Sequence, residues 1–500
     1  MSLLNTPILK TDILSMRDFS REEVESIIRE ALELKRRVKG ETLSGELVGK
    51  HKILASLFFE NSTRTRESHE LAATKLGMSI IGFAGTEGTS VKKGEPLADT
   101  ARMYAGFEAD VVVMRHNLDG AARFVADVVN VPVINAGDGA NAHPTQTLLD
   151  LMTIFEKFGT IDNLKIAMVG DLKYGRTVHS LLQGLALFRN VEIWAVAPPG
   201  LEMPAHCIAE FEERTGTKIF YTPHLQEVLD KAQVLYMTRI QRERFPTSVE
   251  GEHEFKKVSG MYELTSQVLT RANPSLCVMH PLPRVKHKLE ISLDVDASPR
   301  ALYFEQARNG VFIRQVLISH LLGVEKNKIE NKEENGLWRE RFVNGQDKKE
   351  SYLYRLDNGT LIDHLEPGKG PLVHSLLGLE RLQTTVVQAL NIASTKYGRK
   401  DVLAIHNMRL TPRQLWKIAL VSERASVNFI EDKRVVQKGT VILPRVLERL
   451  LLCQNVNCVT RPEHFEHAPS KFLVEQDKPL RLRCYYCERT CGQEDVELLK

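Results

Sequence analysis

The 500-residue chain has only seven cysteines and three tryptophans, and no apolar run approaching the ~18 residues of a membrane helix. Seven cysteines are too sparse for a disulfide scaffold. Residues Met1 to Asp12 lack the apolar core and basic flank of a secretory signal. An excess of charge of one sign is missing too: 67 Lys and Arg against 64 Asp and Glu give +3. Bulk charge therefore favours neither nucleic acid nor membrane as a partner, and any anion specificity must come from local sites. Internal repeats and low-complexity tracts are absent. The expectation is a cytoplasmic protein with no membrane and no nucleic-acid partner.

What is there is ordinary globular composition, 43% hydrophobic and 26% charged. Such a length exceeds one core and implies three or four domains. A charged run from Glu325 to Asn335 has almost nothing to bury and reads as a solvated linker, 324–349, or a charged helix end followed by one. Ahead of it, short β-rich runs alternate with amphipathic helical patterns. Strands are expected at 52–59, 109–114, 164–169, 191–196 and 276–279, with helices at 62–76 and 176–188. This alternation predicts parallel α/β sheets, divided by length into two lobes, 1–150 and 151–323. Ligands then belong at the carboxyl ends of the strands, in the cleft between lobes. A small α/β domain is expected at 350–445, with strands near 361–362, 402–405, 426–430 and 435–436 and helices near 371–382 and 412–421. A β-rich module, 446–500, carries five of the seven cysteines.

Ser62-Thr63-Arg64-Thr65-Arg66 follows a buried strand and opens a helix. Hydroxyls, helix-terminal N–H groups and two arginines form a phosphate cradle; the bland alternative is a Ser/Thr cap with surface arginines. The glycines and the Gly-Lys-Ser/Thr ending of a P-loop are absent. Ser90 and Lys93 lie in a polar, glycine-bearing loop, Arg115 ends a strand, and His143 and Gln146 open a helix with Pro144 in its first turn. His280-Pro281-Leu282-Pro283-Arg284 follows a strand, its prolines fixing extended backbone with free carbonyls. The glycines at 170 and 175 do not make a dinucleotide fingerprint, which removes a dehydrogenase reading. In the tail, Cys453-x4-Cys458 and Cys484-x2-Cys487, 25 residues apart, have structural zinc-site spacing. Their bland alternative is reduced surface thiols; Cys491 lies just outside.

Ser62 to Arg66, His143-Pro144-Thr145-Gln146 and His280 to Arg284, in this order and at these separations, closely resemble the carbamoyltransferase family over almost all of residues 1–323. The resemblance implies that Ser62, Thr63, Arg64, Thr65 and Arg115 hold the phosphate of carbamoyl phosphate. Ser90 and Lys93 would reach it from a neighbouring subunit, so the sites are shared within a trimer. Thr65, Arg115 and His143 would surround the carbamoyl oxygen, and Gln146 with the carbonyls of Leu282 and Pro283 would receive its amino group. Arg64, Thr65, Lys93, Arg115 and His143 are the expected catalytic set. The run from Leu235 to Gln241, and Gly175-Arg176-Thr177, match the aspartate branch. Arg176, Arg239, Gln241 and Lys93 would then bind L-aspartate, giving N-carbamoyl-L-aspartate and phosphate, an early step of pyrimidine synthesis. Glu60 would bridge the lobes to Arg176 and Arg244. Glu67, His69, Ala142 and Arg308 depart from the family pattern without removing a contact.

Through Gly359-Thr360-Leu361-Ile362-Asp363-His364, Gly398-Arg399-Lys400-Asp401, Ser426-Val427-Asn428 and the four cysteines, the second half resembles the regulatory chain of bacterial and archaeal aspartate carbamoyltransferase, usually a separate polypeptide. That resemblance implies a domain binding CTP or ATP through Asp363, His364, Asn428, Ile430, Val435 and Lys438, and one structural zinc on Cys453, Cys458, Cys484 and Cys487. Ala404 stands where a lysine is usual and Lys433 replaces a tyrosine, so a weakened or altered nucleotide response is expected. The competing class is an inactive homologue serving as a nucleotide-sensing scaffold.

Overall fold

The computed structural model describes residues 10–38, 48–240, 258, 261–284, 289–322, 339–340 and 356–499. Gln241, Arg244 and, apart from 339–340, the expected linker lie outside them. The chain divides into two compact units, Met1–Lys328 and Ile329–Lys500. No described helix is long and apolar enough to cross a membrane.

The first unit opens with α1, Arg21–Val38, whose buried Val24, Ile27, Ile28 and Ala31 recur at helical spacing and face the core. Two parallel sheets follow. The first contains β1 Ile53–Phe58, β2 Ser79–Ala84, β3 Val111–His116 and β4 Val133–Asp138, in the order β2-β1-β3-β4. Helices α2 Thr63–Lys75, α3 Leu97–Gly106, α4 Ala121–Val128 and α5 Pro144–Phe158 connect and cover it. The second contains β5 Lys165–Val169, β6 Glu192–Val196, β7 Ile219–Thr222, β8 Val234–Met237 and β9 Cys277–Met279, in the order β7-β6-β5-β8-β9. It carries α6 Arg176–Leu185 and α7 Ala205–Thr215. Near-continuous burial along β1, β3 and β5 is what sheets covered on both faces require. Strand order reverses between β1 and β3 and again between β5 and β8, and the loops at those two switch points carry most of the motifs found in the sequence. A long helix, α8 Tyr303–Leu321, packs with α1, α2 and α5 in one core that draws residues from both sheets. The strands and helices expected from the sequence in this unit are found within a few residues of their places, α6 ending at Leu185; β2, β4, β7 and β8 are strands the sequence reading does not include.

In the second unit, β10 Arg339–Glu340, β11 Gly359–Leu365, β12 Val386–Ser394, β13 Gly398–His406, β14 Ser426–Glu431 and β15 Arg434–Thr440 form one sheet, β10-β15-β14-β11-β13-β12. All its pairings are antiparallel. Ile362, Leu403, Ile405, Val427 and Phe429 join α9 Lys369–Leu376 and α10 Pro412–Val421 in its core. The helix expected at 371–382 ends early because Gly378, at φ +63°, takes the left-handed conformation that closes it. Thr411 and Gln414 form a complete capping box on α10. Strands β16 Val446–Glu448, β17 Lys471–Gln476, β18 Arg481–Cys484 and β19 Thr490–Gly492 make a second, antiparallel sheet.

Candidate active site and a four-cysteine centre

Carboxyl ends of both parallel sheets open on a cavity of about 540 Å³ in the first unit. The turn after β1 brings Glu60 to Thr65, β3 brings Arg115, and the loop after β4 brings His143 and Gln146. The start of α6 supplies Arg176, the end of β8 Thr238 and Arg239, and the segment after β9 His280 to Pro283. Ser62 precedes α2 but its side chain makes no capping bond. The capping alternative therefore fails, and the first N–H groups of α2 are not used up by a side chain. Side-chain caps are likewise absent at the starts of α5 and α6. Three helix N-termini thus carry their partial positive charge toward the same cavity.

Charge there is one-sided. Among the described lining residues, Arg64, Arg115, Arg176, Arg239 and Arg314 face a single carboxylate, Glu60. Glu60 accepts from Arg176 Nη2 at 2.9 Å through both oxygens and from Arg115 Nη2 at 3.3 Å, a link between the lobes. Arg176 keeps a buried Nη1 with no partner, and burial with the Arg239 charge lowers the pKa of Arg64. Gly137, at φ +114°, explains how such groups approach: a Cβ there would lie 3.0 Å from Arg115 Nη1, 3.3 Å from Arg176 Nη1 and 3.4 Å from His143 Cδ2.

Both histidines are neutral. Burial, then the charges of Arg115, Arg314 and Arg176, holds His143 well below the usual range; burial with Arg284, Arg64 and Arg239 pushes His280 down to about 3. Leu282 N donates to His280 Nδ1 at 2.7 Å, so the ring proton sits on Nε2, buried and without a partner. Arg284 does not line the cavity; it pairs with both oxygens of Asp296, at 2.8 and 2.9 Å, as a brace.

The structure brings Ser62, Thr63, Arg64, Thr65, Arg115, His143, Gln146, Arg176, Arg239, Leu282 and Pro283 to one cavity. It does not bring Ser90 and Lys93, which stand exposed on a 3-10 turn, Ser90–Lys93, outside the lining of this copy. Sequence reading missed Gly137, Arg314 and Gln306, and the fully buried Asp150. A signal existed for two of them: Asp150 and Arg314 interrupt apolar stretches of α5 and α8 where an unpaired charge is costly.

In the second unit, Asp363 and His364 occupy an irregularity in β11, where Lys400 Nζ donates to Asp363 Oδ1 at 2.6 Å and His364 Nδ1 meets Ser426 Oγ at 3.0 Å. Asn428 pairs in register with Lys438, and Ile430 with Val435, so all six candidates lie on three neighbouring strands. Burial lowers the His364 pKa, with Lys400, Lys396 and Lys438 acting in the same direction against Asp363. Ala404 is fully buried between Leu361 and Val387. Lys433 is in an exposed turn, 3.7 Å from Asp357.

Cys453, Cys458, Cys484 and Cys487 are all buried, their sulfurs within 4.8 Å of one another. Cys453 and Cys487 are 3.5 Å apart, Cys458 and Cys484 3.8 Å. Four thiolates on a tetrahedral zinc at the usual ~2.3 Å stand roughly 3.8 Å apart, so the set fits structural zinc and leaves no open position.

Comparison with known proteins finds matches in both units. Models of the aspartate/ornithine carbamoyltransferase carbamoyl-P binding and Asp/Orn binding domains match residues 11–156 and 162–321. The chain belongs to the aspartate/ornithine carbamoyltransferase family. Models of the aspartate carbamoyltransferase regulatory chain match behind it, the allosteric domain at 353–442 and the metal binding domain at 445–497. The aspartate carbamoyltransferase catalytic subunit of Thermococcus onnurineus is 50% identical over 314 residues, 63% of this chain and 97% of the relative. That of Thermococcus gammatolerans is 51% identical over 315 residues, 63% of this chain and 98% of the relative. Among solved structures, the catalytic subunit of M. jannaschii aspartate transcarbamoylase is 43% identical, TM-score 0.57, covering 63% of this chain and 98% of its own. Trypanosoma cruzi aspartate transcarbamoylase in complex with carbamoyl phosphate and aspartate is 37% identical, TM-score 0.60, covering 64% and 99%.

Proposed function

We propose that this chain transfers the carbamoyl group of carbamoyl phosphate to the amino group of L-aspartate, with catalytic and regulatory parts on one polypeptide. The observation that carries the reading is the convergence of five arginines and a neutral, buried His143 on one cavity at the carboxyl ends of two parallel sheets. Ser62, Thr63, Arg64, Thr65 and Arg115 hold the phosphate, drawing on the uncapped start of α2. Arg115, Thr65 and His143 donate to the carbamoyl oxygen, and Gln146 with the carbonyls of Leu282 and Pro283 takes its amino group. Arg176, Arg239 and Gln241 receive the two carboxylates of aspartate.

The amine attacks the carbamoyl carbon, and negative charge develops on the carbamoyl oxygen before the bond to phosphate breaks. Donors fixed at that oxygen contribute about 3 kcal/mol each, the scale of an oxyanion-hole donor. Departing phosphate leaves with its electron pair into the arginine cradle and accepts the amine proton. Positioning and electrostatics therefore supply most of the rate. Exposed Ser90 and Lys93 complete a neighbouring copy's site, which makes a homotrimer the smallest active assembly. The four-cysteine centre holds one structural zinc. The middle domain takes CTP or ATP, and buried Ala404, in place of a cation, weakens the response.

Ureido-product formation from carbamoyl phosphate with L-aspartate or L-ornithine, each with and without CTP and ATP, tests this. Aspartate-dependent product with little nucleotide effect is expected. No product with either acceptor would leave the nucleotide-sensing scaffold, and a large CTP-induced shift in aspartate affinity would overturn the weakened regulation.

A further inference from the structure

Asp150 lies on α5, one turn beyond Gln146, fully buried. Its Oδ1 accepts from Gln146 Nε2 at 2.8 Å and from Gln306 Nε2 at 2.6 Å; its Oδ2 accepts from the Tyr236 hydroxyl at 2.8 Å. Gln306 Oε1 in turn accepts from His280 N at 2.9 Å, at the head of the segment that supplies Leu282 and Pro283. Tyr236 is on β8, three residues before Arg239. One carboxylate thus ties together three separate contributors to the cavity. Burial pushes Asp150 up to about 7 and Arg314 down to about 9, each charge opposing the other's shift.

A carboxylate only accepts, so the amide nitrogens of both glutamines must turn toward it. Gln146 therefore presents Oε1 at its other end, where Gln146 lines the cavity. We propose that Asp150 is a positioning residue for the transfer reaction: it locks Gln146 with its amide oxygen toward the substrate, as an acceptor for a carbamoyl N–H, and holds the His280 segment and β8 in register with it. The proposal rests on the carbamoyl-transfer reading. Asparagine could not substitute, because it offers one acceptor oxygen and one donor nitrogen where three donors converge.

The test uses the full chain and two variants, Asp150→Asn and Tyr236→Phe, measuring kcat, the carbamoyl phosphate KM and the inhibition constant of inorganic phosphate. Asp150→Asn should lower kcat by about 100-fold, the cost of a misplaced reacting geometry. Phosphate inhibition should move less than threefold, because residues 62–65 and Arg115 hold that group without touching Asp150. An equal fall in kcat and phosphate affinity would mean a merely structural role and overturn the proposal. Should Asp150→Asn fail to fold, Tyr236→Phe decides. The groups that face Asp150 with charge or a titrating proton are Arg314 on α8 and Tyr236 on β8. Losing the tyrosine donor moves the acid limb of kcat to higher pH with phosphate inhibition unchanged, and an unmoved limb overturns the proposal. A wild-type chain that makes no ureido product sinks the carbamoyl-transfer reading and this one together. An active wild type matched by Asp150→Asn sinks the positioning alone.

Discussion

Gly137→Ala probes the point where the cavity is tightest. Two effects follow from one methyl group. The first is conformational: at φ +114° an L side chain is strained by about 1–3 kcal/mol, partly offset by ~0.4–1 kcal/mol from a stiffer unfolded chain. A net stability loss of roughly 1–2 kcal/mol is expected in urea unfolding. The second is geometric. The new carbon would meet Arg115 Nη1 at 3.0 Å and Arg176 Nη1 at 3.3 Å, with His143 Cδ2 at 3.4 Å. Contacts of this kind settle at about 3.5–4.0 Å, so the guanidinium groups must retreat by roughly half an ångström. If a 1 Å misplacement costs ~100-fold, half of that costs about tenfold for one group. With two arginines displaced together, kcat/KM for N-carbamoylaspartate formation should fall by about 10- to 100-fold, or about 1.4–2.7 kcal/mol. The two effects separate experimentally, because the first is read by denaturant at saturating folding conditions and the second by initial rates on folded protein. A variant that loses stability yet keeps kcat/KM within twofold would show that the chemistry does not occur beside Gly137.

Three further perturbations test other links. Glu60→Ala removes the carboxylate shared by Arg176 and Arg115 and should raise the aspartate KM by about tenfold, near the lower end for hydrogen bonds to charged groups because Glu60 is partly exposed; unchanged aspartate affinity and turnover would remove the bridge from the mechanism. Cys484→Ser takes one thiolate from the buried four-sulfur set. Zinc measured per chain should drop from one to well below one, with residues 446–499 becoming protease-sensitive, and a retained equivalent of zinc would refute the four-ligand assignment. His280→Asn tests the neutral imidazole. A depressed pKa contributes stability that is complete above the unfolded value near 6.5 and lost as pH falls toward about 3. Wild type should therefore lose stability relative to the variant by about 1.4 kcal/mol per pH unit below 6.5, roughly 2 kcal/mol by pH 5; a pH-independent difference between the two proteins would contradict a buried neutral histidine.

How much of this was legible in the sequence depends on the range over which each feature is encoded. Parallel strands buried on both faces appear as unbroken apolar runs, so β1, β3, β5 and β6 were read nearly to the residue. Antiparallel β12, exposed along much of its length, has no such run and was missed, as was β2, which has no buried residue. Motifs at strand ends announce themselves because Ser, Thr, Arg and His cluster there without a packing reason, and eleven of the site residues expected from the sequence line the cavity. Gly137 was invisible because its function is an absence, a missing Cβ that matters only once Arg115, Arg176 and His143 have arrived from three other segments. Asp150 is the complementary case. In the sequence it is one charged residue in the apolar stretch of a helix, and beside its near neighbour Gln146 the fold supplies Gln306 and Arg314, more than 150 positions away, that make its charge tolerable. A charge set in an apolar helical stretch with no opposite charge within a turn is thus itself a signal. Burial without compensation would cost several kcal/mol, more than a marginally stable domain can absorb, so the sequence already required that partners exist, and the fold determined which ones.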